Sequence, residues 1–414
     1  MATQKKILII GNGFDLYHEL PTRYVQFIQV LRNIEKFKLD NSNDVFFEEI
    51  FQNVDRKNQI AEKYDVKNIL FEKDSIEIIQ NIIHKNKWYK LFKDKLDFEN
   101  WIDFENEIKE VLVILNKIIL KINSLITEKI SLENINISHI KYGGIDLQFN
   151  KKEIDYLLKF ELINSSNQND FYELKNEHFE KSGKYLIKFK SDSFFDKIFE
   201  DLTSFINVFN DYLFKIVGVF YGNAINENSQ NSIKPKWEID EYYNFNYTPT
   251  LENFYKVGKK VNYIHGKIEI INHNIVMGID DIEIDLKNDK IFMFSKYYQK
   301  LFNNTDYGFL NHCKVDDTIN FNILVFGHSL SENDRNYVEE IFSKSNNKKS
   351  KIYVFYINNS DKSQKLKNLL NIIGKEKIEF YMKNNKLEFI DINDSSIKDV
   401  LDLVPKSTSN YSVQ

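Results

Sequence analysis

At 414 residues the chain can bury a large core without disulfides or a structural metal, and two or three structural units are expected of it. With 42% hydrophobic, 28% charged and 14% aromatic residues but only 13 Gly and 4 Pro, the composition excludes wholesale disorder, collagen-like repeats and Gly/Ser linkers, and favours helices. A net charge of -5, from 56 basic and 61 acidic residues, argues against a nucleic-acid partner, and the single Cys313 excludes an intramolecular disulfide and a cysteine-based zinc site.

The first element is the apolar run Ile7 to Ile10, closed by Gly11-Asn12-Gly13-Phe14-Asp15. Four branched residues before a Gly-rich turn predict a strand buried on both faces, as in a parallel sheet. The run is too short for a secretion signal, and no segment reaches the ~18 uninterrupted apolar residues of a membrane helix. The stretch nearest to that length, Val111 to Ile126, is broken by Asn116, Lys117, Lys121 and Asn123. A soluble cytoplasmic protein without a membrane partner is expected. After Leu20-Pro21-Thr22, the spacing of Tyr24, Phe27, Val30, Leu31 and Ile34 predicts a helix.

From about residue 40 to 235 strand signals nearly vanish. One amphipathic helix is predicted to carry Trp101, Phe104, Ile108, Val111, Leu112, Leu115, Ile118, Ile119 and Ile122, and another Ile198, Leu202, Phe205, Phe209, Leu213, Ile216 and Phe220. Beyond Lys236 short β-prone runs return, at Tyr242–Asn246, Val261–Ile264, Asn274–Met277, Phe321–Phe326 and Lys351–Tyr356. Helical patterns follow the last two. The pattern predicts an α/β fold with a mainly parallel sheet, split in sequence by a large, mostly helical insertion. Residues 1–38 and 236–403 form the discontinuous sheet domain, 39–235 the insertion and 404–414 a disordered tail.

Polar motifs terminate four of these strands, where open α/β sheets bind ligands. Gly11-x-Gly13 could let backbone amides approach phosphate, or be a plain tight turn, and Asp15 beside it could cap a helix or bind a ribose hydroxyl. Asn246 ends the second strand, with Thr248 a candidate cap for the following helix. His265-Gly266 ends the third, and His is the usual general base near neutral pH. Gly327-His328-Ser329 ends the fourth. Ser329 or Ser331 could cap the next helix, and Asp334 suits its first turn. Asp103 and Glu105, two positions apart, point to different faces of their helix.

Leu8-Ile9-Ile10-Gly11-Asn12-Gly13-Phe14-Asp15-Leu16, then His18 and Leu20-Pro21-Thr22-x-Tyr24, resembles the opening of the AbiH family of bacterial abortive-infection proteins. Trp101-x-Asp103-Phe104-Glu105, Asn244-Phe245-Asn246-Tyr247-Thr248, Ile264-His265-Gly266 and Met277-Gly278-Ile279-Asp280 continue the likeness. Phe294-Ser295-Lys296-x-x-Gln299 and Phe326-Gly327-His328-Ser329-Leu330-x-x-x-Asp334 complete it. The resemblance implies a phage-defence role that arrests growth of the infected cell. A phage-protein trigger and a homo-oligomer are compatible with it.

A more distant similarity is to sirtuin-like domains, which bind NAD in a Rossmann-like fold. Here Asp15 stands in place of a Ser, Thr248 in place of an Asp, and the cysteine-zinc module is missing. The likeness implies a nucleotide substrate, NAD or a relative, cleaved at its N-glycosidic bond without a metal. His265, Asn246 and Asp15 would be catalytic. Gly11, Asn12, Gly13, Phe14, Gly266, Gly327, His328, Ser329 and Asp334 would bind the nucleotide. Two other readings stand beside it: a metal-assisted nuclease or phosphoesterase using Asp15, His18, Asp103, His265, His328 and Asp334, and a non-enzymatic nucleotide-gated sensor.

Overall fold

The computed structural model describes residues 3–38, 44–98, 102–127, 137–138, 150–165, 171–182, 185–225, 239–255, 257–279, 289–305, 308–310, 319–345 and 349–393. The expected C-terminal tail, Trp101 and Asp280 lie outside them. The chain divides into two compact units. One comprises Met1–Ile79, Phe209–Val276 and Lys300–Gln414, the other Gln80–Val208 and Met277–Gln299.

In the first unit, six strands form one wholly parallel sheet among the described residues: β1 (Thr3–Ile10), β2 (Glu241–Asn244), β3 (Val261–Tyr263), β4 (Ile319–Phe326), β5 (Lys351–Tyr356) and β6 (Leu387–Asp391). Their order across the sheet is β3-β2-β1-β4-β5-β6. Five of the six strands expected from the sequence therefore join one sheet, with β1 central between β2 and β4. Ile7, Leu8, Ile9 and Ile10 have no exposed surface, as a strand covered on both faces requires. Ile7 and Ile9 join Ile323, Val325, Ile352 and Val354 in one apolar layer, and truncating any of the isoleucines to Ala would cost about 2–5 kcal/mol.

Helices α1 (Asn12–Tyr17) and α2 (Tyr24–Lys36) follow β1, and α3 (Thr250–Tyr255) lies between β2 and β3. α4 (Arg335–Lys344) connects β4 to β5, and α5 (Asn359–Ile373) and α6 (Lys375–Lys383) connect β5 to β6. Val338, Ile341 and Phe342 of α4, Leu369 and Ile372 of α5, and Ile378 and Tyr381 of α6 complete the layer over the sheet.

Three local expectations need correction. β6 carries no strong apolar pattern, because an edge strand is buried only at Leu387 and Ile390 and exposes Glu388 between them. The run from Asn274 is not a strand; its backbone is used locally, Val276 N donating to His265 O at 2.8 Å and Asn274 O accepting from Thr305 Oγ1 at 2.7 Å. Residues 40–235 are not free of strands. They hold short antiparallel pairings of Asp44–Phe46 with Leu70–Glu72, of Phe171–Leu174 with Ile137–Ser138 and Ile163–Ser165, and of Phe179–Ser182 with Tyr185–Phe189.

The second unit is built on helix Phe104–Thr127, whose buried stripe from Phe104 to Ile122 is the one its spacing predicts. Phe92 stacks on Phe104 at 4.4 Å, and Phe104 meets Phe205 edge-on at 5.3 Å. The helix beginning at Ser191 keeps α geometry only to Asp211. A π-helical turn (Tyr212–Ile216) and a 3-10 stretch (Val217–Gly222) follow, so the single long helix expected there changes pitch twice. Such turns frequently mark functional positions, and this one delivers Tyr221.

Candidate functional site

The strands end level. In the sheet register Ile10 is opposite both Asn244 and Phe326, and Asn244 is opposite Tyr263, so β3, β2, β1 and β4 stop in a single row. The next residues of all four chains leave the sheet together, which explains why motifs hundreds of positions apart meet at one carboxyl edge.

Between β1 and β4, where the sheet order reverses, the two glycine turns interlock. Gly11 N donates to Phe326 O at 3.1 Å, Gly13 N to Gly327 O at 2.7 Å and Phe14 N to Gly11 O at 2.8 Å. Gly327 has φ +68°, and a Cβ there would sit 2.1 Å from Phe14 N, so no other residue fits. A Cβ on Gly13 would lie 2.7 Å from Gly327 Cα. Three amides of the first turn are thus engaged by backbone carbonyls. Asn12 ties the Leu20-Pro21-Thr22 segment to α1, accepting from Thr22 Oγ1 at 2.7 Å and donating to Thr22 O at 3.3 Å. Phe14 is buried against Phe326, 5.2 Å between ring centres.

Behind this edge lies a hydroxyl-lined carboxylate. Asp15 is 1% exposed; Thr250 Oγ1 donates to Oδ1 at 2.7 Å and Thr248 Oγ1 donates to Oδ2. Burial pushes its pKa up to about 7, against the lowering effect of the donors from Thr248, Thr250 and Asn246. Because Thr250 donates its only hydroxyl proton to Asp15, Tyr221 is the donor in its 2.8 Å bond to Thr250 Oγ1. Thr248 therefore serves Asp15, where the sequence suggested a helix cap. Asn244, fully buried, braces the turn by accepting from Asn246 N at 2.7 Å and donating to Thr248 O at 3.0 Å. Asn246 in turn donates Nδ2 to Gly11 O at 3.0 Å, joining the β2 and β1 turns. His18 packs near Asp15's helix, where burial lowers its pKa to about 3; it stays neutral, with Tyr255 Oη 2.9 Å from Nε2.

In front, two imidazoles flank one carboxylate. His265 Nε2 lies 3.5 Å from Asp334 Oδ1, and His328 Nε2 lies 3.3 Å from Asp334 Oδ2. The three side chains are only 8%, 4% and 12% exposed. Phe245 wedges beside both imidazoles, at 4.4 Å from the His328 ring and 5.4 Å from that of His265, and Tyr337 packs edge-on against Phe245 at 5.2 Å. Lys300, 5% exposed, reaches the Tyr337 hydroxyl. Gly266, at φ +88°, follows His265 with its α-carbon packed on the Asn274 carbonyl. Ser329 is exposed and its carbonyl accepts from Asn368 at 3.0 Å, while Ser331 makes no side-chain cap.

The remaining motifs meet within the second unit. Asp103 caps its helix, accepting from Glu105 N at 3.0 Å and Asn106 N at 3.2 Å. Glu105 pairs with Lys296 at 2.8 Å, with side chains 13% and 5% exposed. Gln299 clamps the Met277 backbone with two 3.0 Å bonds, and Gly278 leaves room for Phe294 O, which a Cβ would approach to 2.1 Å. Among the described residues no three His, Cys, Asp or Glu side chains are grouped to hold a metal ion, so the six candidate ligands are not assembled as such a centre. None of the described helices is long and apolar enough to cross a membrane.

Asn244, Thr250 and Tyr221 were not singled out by sequence reasoning. Thr-Pro-Thr reads as helix-start chemistry, and only the fold brings those hydroxyls to Asp15.

A six-stranded parallel sheet with Asn, His and glycine turns at the carboxyl ends of four adjacent strands defines an α/β protein whose polar motifs gather at one sheet edge. The chain belongs to the bacteriophage abortive infection AbiH family, whose model it matches over residues 7–356 of 414. No curated protein and no solved structure matches it. Membership indicates a phage-defence, abortive-infection role.

Proposed function

We propose that this abortive-infection protein hydrolyses NAD or a related nucleotide at the N-glycosidic bond, and that growth arrest follows from the loss of that nucleotide. The observation that carries the reading is the level ending of β3, β2, β1 and β4, which sets His265, Asn246 and the two glycine turns along one edge. Numbered in chain order, the strands run 3-2-1-4-5-6 across the sheet, the order of Rossmann-like sheets that bind dinucleotides at the point of reversal. In this reading residues 1–38 and 236–403 supply the nucleotide domain and 39–235 an insertion.

The chemistry asks little of the protein. The C1′–N bond of a nicotinamide riboside breaks toward a neutral leaving group, and water forms the new C1′–O bond through an oxocarbenium-like state. His265 accepts the proton the water gives up. Asn246 has one amide proton on Gly11 O and lowers the Asp15 pKa by hydrogen bonding, which leaves Oδ1 to orient the water or a ribose hydroxyl. Asp15, with both oxygens accepting from threonine hydroxyls, acts through Asn246 and the β2 turn rather than on substrate. Gly11, Asn12, Gly13, Phe14, Gly266, Gly327, His328 and Ser329 shape the nucleotide's seat.

The test is direct. Purified protein is incubated with NAD, and separately with nucleic acid plus magnesium or manganese, and products are resolved; cellular NAD is followed during induced expression. Release of nicotinamide, lost in His265→Ala with folding retained, is the expected result. Growth arrest with an unchanged NAD pool, or full arrest by His265→Ala, defeats the proposal.

A further inference from the structure

We infer that the short helix Lys296–Phe302 is a self-association surface, and that its exposed aromatic face seats the same helix of a second copy of the chain. The inference is independent of the proposed activity.

The helix is turned inside out. A surface helix normally buries its apolar stripe and gives its charges to water, and a lysine is almost never fully buried unless paired. Here Lys296, Gln299 and Lys300 are buried, at 4%, 3% and 5% exposure. Tyr297, Tyr298, Leu301 and Phe302 are instead exposed by 73%, 39%, 48% and 73%. At about 100° per residue these four fall within one arc of about 140°, and the three polar residues occupy the opposite side.

The polar side enforces this orientation. Lys296 pairs with Glu105 at 2.8 Å, and its backbone N donates to Ile279 O at 2.8 Å. Gln299 accepts from Met277 N and donates to Met277 O, both at 3.0 Å, and Lys300 reaches the Tyr337 hydroxyl. Rolling the helix to cover the rings would take two buried ammonium groups and an amide off these partners, and a buried charge stripped of its partner is strongly destabilising. The Lys and Gln of the Phe294-Ser295-Lys296-x-x-Gln299 motif thus decide that the residues between them face out.

Area and charge together specify the occupant. With roughly 200 Å² for an aromatic side chain, the four exposures amount to roughly 450 Å² of mostly apolar surface on one helix face. A lone soluble protein rarely shows a contiguous apolar patch beyond a few hundred Å². A standard interface takes about 800 Å² from each partner, a little over half of it apolar, so this face supplies the apolar centre of one side. A surface that meets its own copy also meets its own charges, and like charges in contact are costly. The only charged residues of this helix are Lys296 and Lys300, and both are turned inward. Across a two-fold axis the face is self-complementary: antiparallel helices set Tyr297 beside Phe302 of the second copy, with Tyr298 and Leu301 between.

The experiment is sedimentation velocity on the full chain over a micromolar concentration series. A reversible dimer of twice 49.4 kDa is expected. Tyr297→Lys combined with Phe302→Lys places like charges against each other across the axis and should weaken the dimer by at least about 100-fold. Its melting temperature should match that of the wild-type monomer, since both side chains are exposed. Tyr297→Ser with Phe302→Ser should act in the same direction and serves if the lysine variant does not fold. Ile357→Lys, at an exposed apolar residue elsewhere, should leave the dimer intact. A wild-type chain that stays monomeric throughout the series overturns the inference without recourse to any variant. A dimer that persists in the folded double variants also overturns it. So does a monomer that binds phosphatidylcholine–phosphatidylglycerol vesicles through Tyr297 and Phe302, which would assign the face to a lipid surface.

Discussion

Replacing Asp15 by Asn tests the buried network most sharply, because it changes charge and almost nothing else. Burial raises the carboxyl from 3.8 to about 7, which at 1.36 kcal/mol per unit corresponds to about 4 kcal/mol. The sign follows from linkage. Between the two values the folded chain holds a proton that the unfolded chain has released, so this contribution is complete below pH ~4 and is lost as pH rises through ~7. Wild type should therefore lose stability relative to Asp15→Asn across that window, by about 4 kcal/mol in total. Asn keeps the shape and can still accept from one threonine, while the other hydroxyl turns to accept from the amide. Denaturant midpoints for both proteins, measured from pH 4 to 8, give the difference curve, and the 13C resonance of the Asp15 carboxyl gives its pKa directly. Parallel stability curves, or a carboxyl titrating near 4, would refute the account of Asp15 as a desolvated acid.

Gly327→Ala should cost more than about 3 kcal/mol or prevent folding, since left-handed strain adds to a backbone clash, whereas Gly222→Ala, with open space around it, should stay within about 0.5 kcal/mol; melting temperatures compare them. Thr250→Val removes a donor to Asp15 and one acceptor of the Tyr221 hydroxyl, so the Asp15 carboxyl should titrate still higher and stability fall by about 1–3 kcal/mol. In the second unit, Glu105→Ala leaves the Lys296 ammonium buried beside the lost partner and should destabilise by about 3–5 kcal/mol; adding Lys296→Met should recover most of it in denaturant titrations.

Much of the sheet can be read from the chain. Ile7 to Ile10 announce a strand covered on both faces, and each of the four motif-bearing strands ends in a turn residue, so their shared edge follows from α/β geometry. β6 escaped because an edge strand needs only half an apolar pattern. The stripe of helix Phe104–Thr127 was legible from Phe104 to Ile122, while Trp101, read as its first member, lies outside the described residues; the change of pitch after Asp211 was not legible, because the apolar spacing of Leu213, Ile216 and Phe220 is equally good for one continuous helix. At the site, residue types were visible and partners were not. Asp15 looked like a ligand-binding carboxylate, yet both its oxygens accept from threonines 233 and 235 positions away. Nothing in local spacing reveals that Asp334 is shared by two histidines, or that Asp103 caps its helix while Glu105 pairs with a lysine from a separate motif.

The central place of β1 sets a timetable for synthesis. It is made well before both its neighbours, which come from the last half of the chain: residues 241–244 on one side and 319–326 on the other. Until they are made, its backbone lacks the sheet partners it has in the folded protein. Gly13 likewise waits for Gly327, and His265 for Asp334. A chain truncated before Phe326 therefore lacks the complete β4 and with it the glycine turn and Asp334 that face β1 and His265.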